Sequence, residues 1–600
     1  MAATLFNNNF LVESSWEVCN QLGGIYTVIR SKLPATVEKW GDNYCLLGPL
    51  VNDLVDVEFE AISETHSPIG QAVNQMREMG YEVKYGRWLV TGRPLTVLLN
   101  PENTHSRLEA IKKRHHQNYS VTLRNNDNLY DGVLQWGDVC FTFLKVLEQC
   151  LKSQKLIAHL HEWMAATPIL DIAAAKLPIK TVFTTHATML GRVLAMNEQD
   201  FYQKLPNFNA AAEAKKYYVE ALFDIEKSAA KHANIFTTVS EVTALECKQL
   251  LGKNPDVITP NGLNIDRFVA NHEVHVRHQK YKNKIEEFVM GHFFHSYSFD
   301  LDKTLYFFTS GRYEYNNKGF DVTLAALKQL NDRMVKEKID ITVVMFYITK
   351  ADTWTINPKV LETRALLEEV RKNCDSITDQ LSTRLFYRAA SSQDDYRLPP
   401  LNDLIDDYWK LRYRRSIQSW KDETWPIVVT HNLVNDVDDP ILNGMRKAPL
   451  VNSPLDKVKV VYHPDFITSA SPLFGLDYGQ FVRGCHLGVF PSYYEPWGYT
   501  PLECIARGVP AVTSDLSGFG RYVKDLEKDV DETGIYVLNR LDIDREKSIK
   551  DLSSYLMQFV KSTRRYRMMQ RNKLEDFSEH FDWRNLTEYY DKAYELASKQ

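Results

Sequence analysis

Residues 483–503 read Arg-Gly-Cys-His-Leu-Gly-Val-Phe-Pro-Ser-Tyr-Tyr-Glu-Pro-Trp-Gly-Tyr-Thr-Pro-Leu-Glu. An apolar run ends at Pro491, a loop follows, and helix signals begin near Pro501. Thr500 is placed to be an N-cap, Pro501 to stand at the first helical position, and Glu503 to complete a capping box. Tyr499 precedes this start, and Gly498 allows close backbone approach to a ligand. The free N–H groups of a helix start favour an anion. The loop therefore suits a phosphate, with Glu495 over whatever the phosphate carries. Glu503 reads equally as a cap or as a ligand, and one residue can do both. A second stretch, residues 310–319, holds Arg312 and Lys318 just after another apolar run. Two fixed cations there can neutralise a departing diphosphate without a metal. Read alone they are solvated loop cations, but residues 184–192 repeat the arrangement with His186 and Arg192.

Three weaker loops leave two readings open. Residues 21–24, ending in Gly23 and Gly24, either bring backbone amides to a phosphate or make a tight turn. Residues 161–163 end an apolar run, with Glu162 a possible cap of the next helix. Asn261, between Pro260 and Gly262, marks either a site or a simple turn.

Such loops need a scaffold that ends strands at one place. Short apolar runs occur at 45–47, 95–99, 156–161, 181–185, 235–239 and 257–260, then at 305–309, 341–347, 427–430, 458–462, 487–491, 511–513 and 535–538. They lack strict alternation, as parallel strands buried on both faces do. Alternating with helical patterns, they predict an α/β chain of two doubly wound domains. Ligands in that architecture bind at the carboxyl ends of strands. Between 358 and 384, Val360, Leu367, Cys374 and Leu381 recur every seven residues, with Val370 and Ile377 between them. This predicts a coiled-coil-like seam, or a long helix packed on its own domain. A closing helix is expected over 577–600.

The 600 residues carry 72 Lys and Arg against 77 Asp and Glu, net charge −5, which argues against general nucleic-acid binding. Eight scattered cysteines form no C-x-x-C pair, so neither a zinc ribbon nor a redox motif is expected. His272, His275 and His278 have a metal-compatible spacing, but no metal is predicted. A signal peptide and a membrane span are absent from the sequence pattern, so a cytoplasmic protein is expected. Arg564, Arg567 and Arg571 fall at i, i+3 and i+7, either a solvated helix face or an anion site.

Residues 22–26, 161–163, 185–192, 259–264, 311–319 and especially 483–503 resemble glycogen synthases of the animal and fungal type, over about residues 10–595. The resemblance implies two Rossmann-like domains facing across a deep cleft, the GT-B architecture. It places the first domain at 1–270 and the second at 271–578, with a helical insertion at about 355–422. It also places a last helix, 579–600, back on the first domain. It further implies transfer of glucose from UDP-glucose to the non-reducing end of glycogen, with α-1,4 links, retained configuration and no cofactor. On this likeness Glu495 is the catalytic-site glutamate, and Arg192, Arg312 and Lys318 hold the diphosphate. His186 lies near the glucose hydroxyls, Tyr478 stacks on uracil, and Glu503 reaches the ribose. The donor contacts extend to Gly23, Gly24, Asn261, Gly498, Tyr499 and Thr500. Glucose-6-phosphate would be held by Arg564, Arg567 and Arg571, with His278, Lys282 and His486 nearby.

Two departures stand out. Family members usually carry six arginines on this helix, whereas here Lys573 and Asp576 fill the last two places. The long phosphorylated extensions of animal enzymes are also not seen, so phosphorylation control is not expected. A homotetramer is implied, and a priming partner such as glycogenin is compatible with the likeness. Rival readings are a glycoside hydrolase using Glu495 and Glu503, or a glycogen-bound scaffold without catalysis. A dinucleotide oxidoreductase lacks its G-x-G-x-x-G fingerprint after the early runs.

Overall fold

The computed structural model of the chain describes every residue except 1, 52–54, 64–65, 199, 269–272, 392–396 and 527–532. The domain boundary expected at 270 and His272 therefore lie outside the described residues. Nine strands form the first sheet: β1 (Asn9–Ser14), β2 (Tyr44–Pro49), β3 (Phe59–Ala61), β4 (Val83–Trp88), β5 (Leu95–Leu99), β6 (Lys155–His161), β7 (Lys180–Thr185), β8 (Ile235–Thr238) and β9 (Val257–Ile258). Their spatial order is β3-β4-β5-β2-β1-β6-β7-β8-β9. All pairs are parallel except β3–β4 and β4–β5 at one edge.

Further along the chain come β10 (Thr304–Ser310), β11 (Thr342–Ile348), β12 (Thr353–Ile356), β13 (His431–Leu433), β14 (Val458–His463), β15 (Leu487–Val489), β16 (Ala511–Ser514) and β17 (Ile535–Leu538). Six of these make a parallel sheet ordered β14-β11-β10-β15-β16-β17, and β12 pairs antiparallel with β13. Counted from its own start, the six-stranded sheet runs 3-2-1-4-5-6. The first sheet has the same winding, with strands added at both edges. Each order reverses once, between β1 and β6 and between β10 and β15. A crevice opens at such a reversal, outside the carboxyl ends of the strands. The central strands explain the sequence pattern: every residue of β10 and β11 is buried, so neither face needs polar residues.

One expected strand does not form, and the central strand was not expected. β1 escaped notice because Asn9, Glu13 and Ser14 interrupt its apolar run, yet it lies at the centre of the first sheet and is wholly buried. Residues 427–430 form no strand. Val428 and Thr430 bond to Tyr462 beside β14, and the chain then diverges to pair β13 with β12.

Helix Pro358–Ser391 and helix Asp407–Trp420 form the helical insertion, directly following β12 and preceding β13. Only the first half of the heptad seam is packed within this chain, on the chain's own second domain. Val360 is buried, Leu367 touches Gly291 of helix Val274–Phe293, and Cys374 is exposed. The two helices of the insertion meet instead through a polar contact, Asn373 donating to Ser416 Oγ at 2.6 Å. The last helix, Trp583–Lys599, returns to the first sheet. Trp583 donates to Ser31 at 2.7 Å, and Lys39 pairs with Asp591 at 2.6 Å.

Candidate functional site

At the β10–β15 reversal the two chemically informative loops meet. Lys318 Nζ lies 2.5 Å from Glu495 Oε2, with both side chains largely covered. Ser310, Ser492, Thr500 and Ser517 line the same small polar pocket. The Lys318 stem lies over Gly311, where a Cβ would sit 3.2 Å from its Cδ. Arg312, expected to join Lys318, is instead 68% exposed and paired with Glu314 at 3.2 Å.

The predicted capping box is absent. Helix Tyr499–Ile505 starts two residues early, with Gly498 as its N-cap at φ 116° and no side-chain cap. Only glycine takes that backbone without strain, and a Cβ there would meet Ser517 Oγ at 2.7 Å. Glu503, freed from capping, pairs with Arg507 one turn later at 3.2 Å. Burial pushes its carboxyl up, and Arg507 only partly opposes this. Tyr478 donates to or accepts from Ser310 at 2.7 Å and feels the charges of Glu503 and Arg507. Tyr499 packs against the cores of both halves of the chain. Glu495 and Glu503 thus each hold their own cation, rather than forming a shared carboxylate pair.

The β1–β6 reversal carries a second constellation. His186, just after β7, lies 2.9 Å from His161 Nδ1 through its Nε2, and its backbone N–H donates to Glu162 at 2.7 Å. Burial, and then the neighbouring His161, hold His186 well below the usual imidazole range. Glu162 stands at the N-cap of the short helix Trp163–Ala165, but its side chain does not cap it; the carboxylate accepts instead from the backbone of His186 and Ala187. Its own backbone takes φ 64°, a strained value for a glutamate.

Arg192 sits among Glu162, Tyr494, Glu226 and Glu314. Burial alone would lower its guanidinium, but these neighbours, Glu162 foremost, outweigh it and raise it. Glu226 and Glu246 lie nearby, fully buried. Burial pushes Glu226 up to about 8 and Glu246 to about 7. Glu246 also accepts from Tyr494 at 3.2 Å, so the residue beside Glu495 is anchored in the other half of the molecule.

The loop at 21–24 is neither a plain turn nor an open phosphate cradle. The carboxylate of Glu17 already accepts from the N–H groups of Gly23 (2.8 Å) and Tyr26 (2.9 Å) at the start of helix Gly24–Trp40. Asn261 is buried against the returning C-terminal segment, 3.5 Å from Tyr590 OH.

The arginine helix, Arg564–Ser578, splits its charges. Arg571 is buried and donates to the carbonyls of Gly508 (3.1 Å) and Cys485 (2.7 Å), and burial lowers it to about 9. Arg567 is half-buried, and Arg564 is exposed. His278 and His486 pack edge to face at 5.0 Å. Burial keeps both depressed, reinforced by Arg571 and Lys282. Lys282 pairs with Glu286 at 2.7 Å. Among the described residues, Glu13, His159 and His161 alone could form a three-ligand metal cluster, but Lys32 already occupies Glu13.

Sequence reasoning missed Glu13, Lys32, Glu17, Glu246 and Arg507. The available signal was a charge inside or beside an apolar run, as at Glu13.

A profile of the glycogen synthase family matches residues 13–600. The chain is 40% identical over 587 residues to liver glycogen [starch] synthase of Homo sapiens, covering 98% of this chain and 83% of that protein. It is 39% identical over 593 residues to glycogen [starch] synthase of Neurospora crassa, covering 99% and 84%. Among solved structures, the catalytic domain of starch synthase IV from Arabidopsis thaliana, bound to ADP and acarbose, matches with TM-score 0.51 and 13% identity over 99% of this chain and 100% of that one. That likeness shows a shared GT-B fold of two Rossmann-like units. With strand ends, charges and relatives in agreement, the chain belongs to the glycogen synthase family.

Proposed function

We propose that the chain transfers glucose from UDP-glucose to the non-reducing ends of glycogen, forming α-1,4 links with retention of configuration. The observation that carries this reading is the Lys318–Glu495 contact at the β10–β15 reversal in a chain of this family. Breaking the bond between C1 and the diphosphate leaves an oxocarbenium-like sugar and an anion. Lys318, Arg192 and, after turning from Glu314, Arg312 stabilise that anion. Each charge-assisted hydrogen bond contributes about 1.5–3 kcal/mol. These side chains supply the neutralisation otherwise given by a metal, and no cofactor is needed.

Glu495, released from Lys318 when the diphosphate arrives, faces the sugar. His186 meets the glucose hydroxyls, Tyr478 the base, and Glu503 the ribose. Gly23, Gly24, Asn261, Gly498, Tyr499 and Thr500 complete the donor contacts. A transfer assay on glycogen comparing UDP-glucose with ADP-glucose tests the reading. Glucose release from glycogen without donor would instead reveal a hydrolase, and no turnover at all a scaffold.

Glucose-6-phosphate is the proposed activator. Arg564, Arg567, Arg571 and Lys282 supply the positive charge of a cluster fit for a sugar phosphate, with the neutral rings of His278 and His486 beside them. An unchanged rate at saturating effector removes this part. We also assign the insertion to tetramer assembly, supported by the exposed Leu361, Phe386, Tyr387 and Leu411 along its helices. A monomer by light scattering counts against it. The proposed setting is the cytoplasm, where a primer of the glycogenin kind would start the chains; no described helix is long and apolar enough to cross a membrane.

A further inference from the structure

We propose that Glu13 and His161 are positioning residues that lock the imidazole of His186 in its Nε2–H tautomer, so that Nδ1 faces the donor sugar only as a hydrogen-bond acceptor. The inference rests on the glucosyl-transfer reading and on His186 meeting the sugar.

The argument starts at the buried end of the chain of contacts. Glu13 lies on the central strand β1 with its side chain wholly inaccessible. Its Oε1 accepts from Lys32 and lies 2.7 Å from His161 Nε2, and its Oε2 accepts from Tyr44 OH at 2.5 Å. With three donors converging on it, this carboxylate is an acceptor only. Burial raises it, but Lys32 and His161 outweigh that and keep it ionised.

His161 must therefore carry its proton on Nε2. Burial holds His161 below its ordinary range, so it is neutral and its Nδ1 has a lone pair. His186 Nε2, 2.9 Å away, has to be the donor of that contact. A neutral His186 is left with an unprotonated Nδ1. That atom has no hydrogen-bond partner among the described residues and is not sealed from solvent.

Neighbours reinforce the neutral state. Burial disfavours a positive charge on His186, and Lys32 and Arg192 oppose it further, against the pull of Glu13. Below it, His159 is held between Tyr594 OH at 2.9 Å and Thr184 Oγ1 at 2.7 Å, and its ring lies 4.0 Å from that of His161. The stack cannot flip one ring without breaking a contact of the next.

The test is a double-mutant cycle on kcat/KM for UDP-glucose, with UDP affinity measured by calorimetry. Glu13→Gln lets residue 13 donate as well as accept and so unlocks the tautomer. Glu13→Gln/Lys32→Met does the same without an unpaired buried ammonium, and serves if the single variant is unstable. Expected is a fall in kcat of about 10- to 100-fold with little change in UDP binding, as for other supports of functional histidines. The fall shrinks below about 3-fold in a His186→Ala background. A panel of monodeoxy UDP-glucoses should show one analogue penalised by wild type and no longer penalised by the variant.

Additive losses, or unchanged discrimination, overturn the inference while leaving the enzyme reading intact. A wild-type protein without glucosyl transfer overturns both. A neutron structure of the wild-type protein decides without substitution: deuterium on Nε2 of His161 and His186 supports the lock, and deuterium on Nδ1 of His186 removes it.

Discussion

Glu495 and Lys318 form the close ion pair of the β10–β15 reversal, and their separation on substitution is the simplest test of the chemistry. Glu495→Gln should abolish transfer while UDP still binds, measured by radiolabelled incorporation beside calorimetry. Lys318→Ala should slow turnover by about 10² to 10³, because it removes a donor to charge that develops as the bond breaks. Full activity in either variant would remove its assigned role. These two residues were legible because loop chemistry shows in sequence: an isolated charge beside glycine and proline has few structural uses. Glu13, Glu17 and Glu246 were not. Each looks like a surface acid until β1 is known to be central and the helices covering the first sheet are known to bury theirs.

The arginine helix shows what spacing does and does not reveal. Positions i, i+3 and i+7 share a face, but nothing local says which end of that face another element will cover. Here Gly508 and Cys485 cover Arg571, so it works partly as a structural donor. Arg571→Ala should therefore lower the thermal midpoint as well as any response to glucose-6-phosphate. Two buried carbonyls are left unpaired, each costing about 1–3 kcal/mol. Arg567 is half-buried and donates to Ser562 alone among the described residues, so Arg567→Ala should lower the response with a smaller fall in midpoint. Scanning calorimetry with and without effector separates the two, and equal midpoints would contradict the assignment. The heptad in helix Pro358–Ser391 teaches the same lesson. Its period is real, but Cys374 on that seam faces solvent in this chain, and the helix partner is held by Asn373 and Ser416.

Across the whole molecule, the alternation of apolar runs and helices was enough to anticipate two doubly wound units, since most parallel strands are buried on both faces. The antiparallel edge strands and the β12–β13 pair were not readable, being short and partly polar. The two units meet at the buried acid Glu246, which accepts from Tyr494, with Glu226 held beside it inside the first unit. Glu226 and Glu246 keep their protons to about 8 and about 7, against an ordinary 4.5. Folding thus favours the protonated form, so their contribution is full below about pH 4.5 and is lost as pH climbs through 7 and 8. Glu226→Gln should gain thermal stability relative to wild type between pH 6 and 8.5 and show no gain at pH 4.5. A pH-independent difference in midpoint would contradict this.

Glu17 adds a last consequence. Its carboxylate rests on the amides of Gly23 and Tyr26, where the proposed donor phosphate must go. The loop thus carries a tethered rival to the donor phosphate, present at fixed effective concentration in every molecule. The apparent dissociation constant for donor is the intrinsic constant divided by the fraction of molecules in which that tenant has left. Burial lifts the Glu17 carboxyl above its ordinary range. Mild acid therefore discharges the rival before it discharges most surface acids, and donor should be captured more readily there.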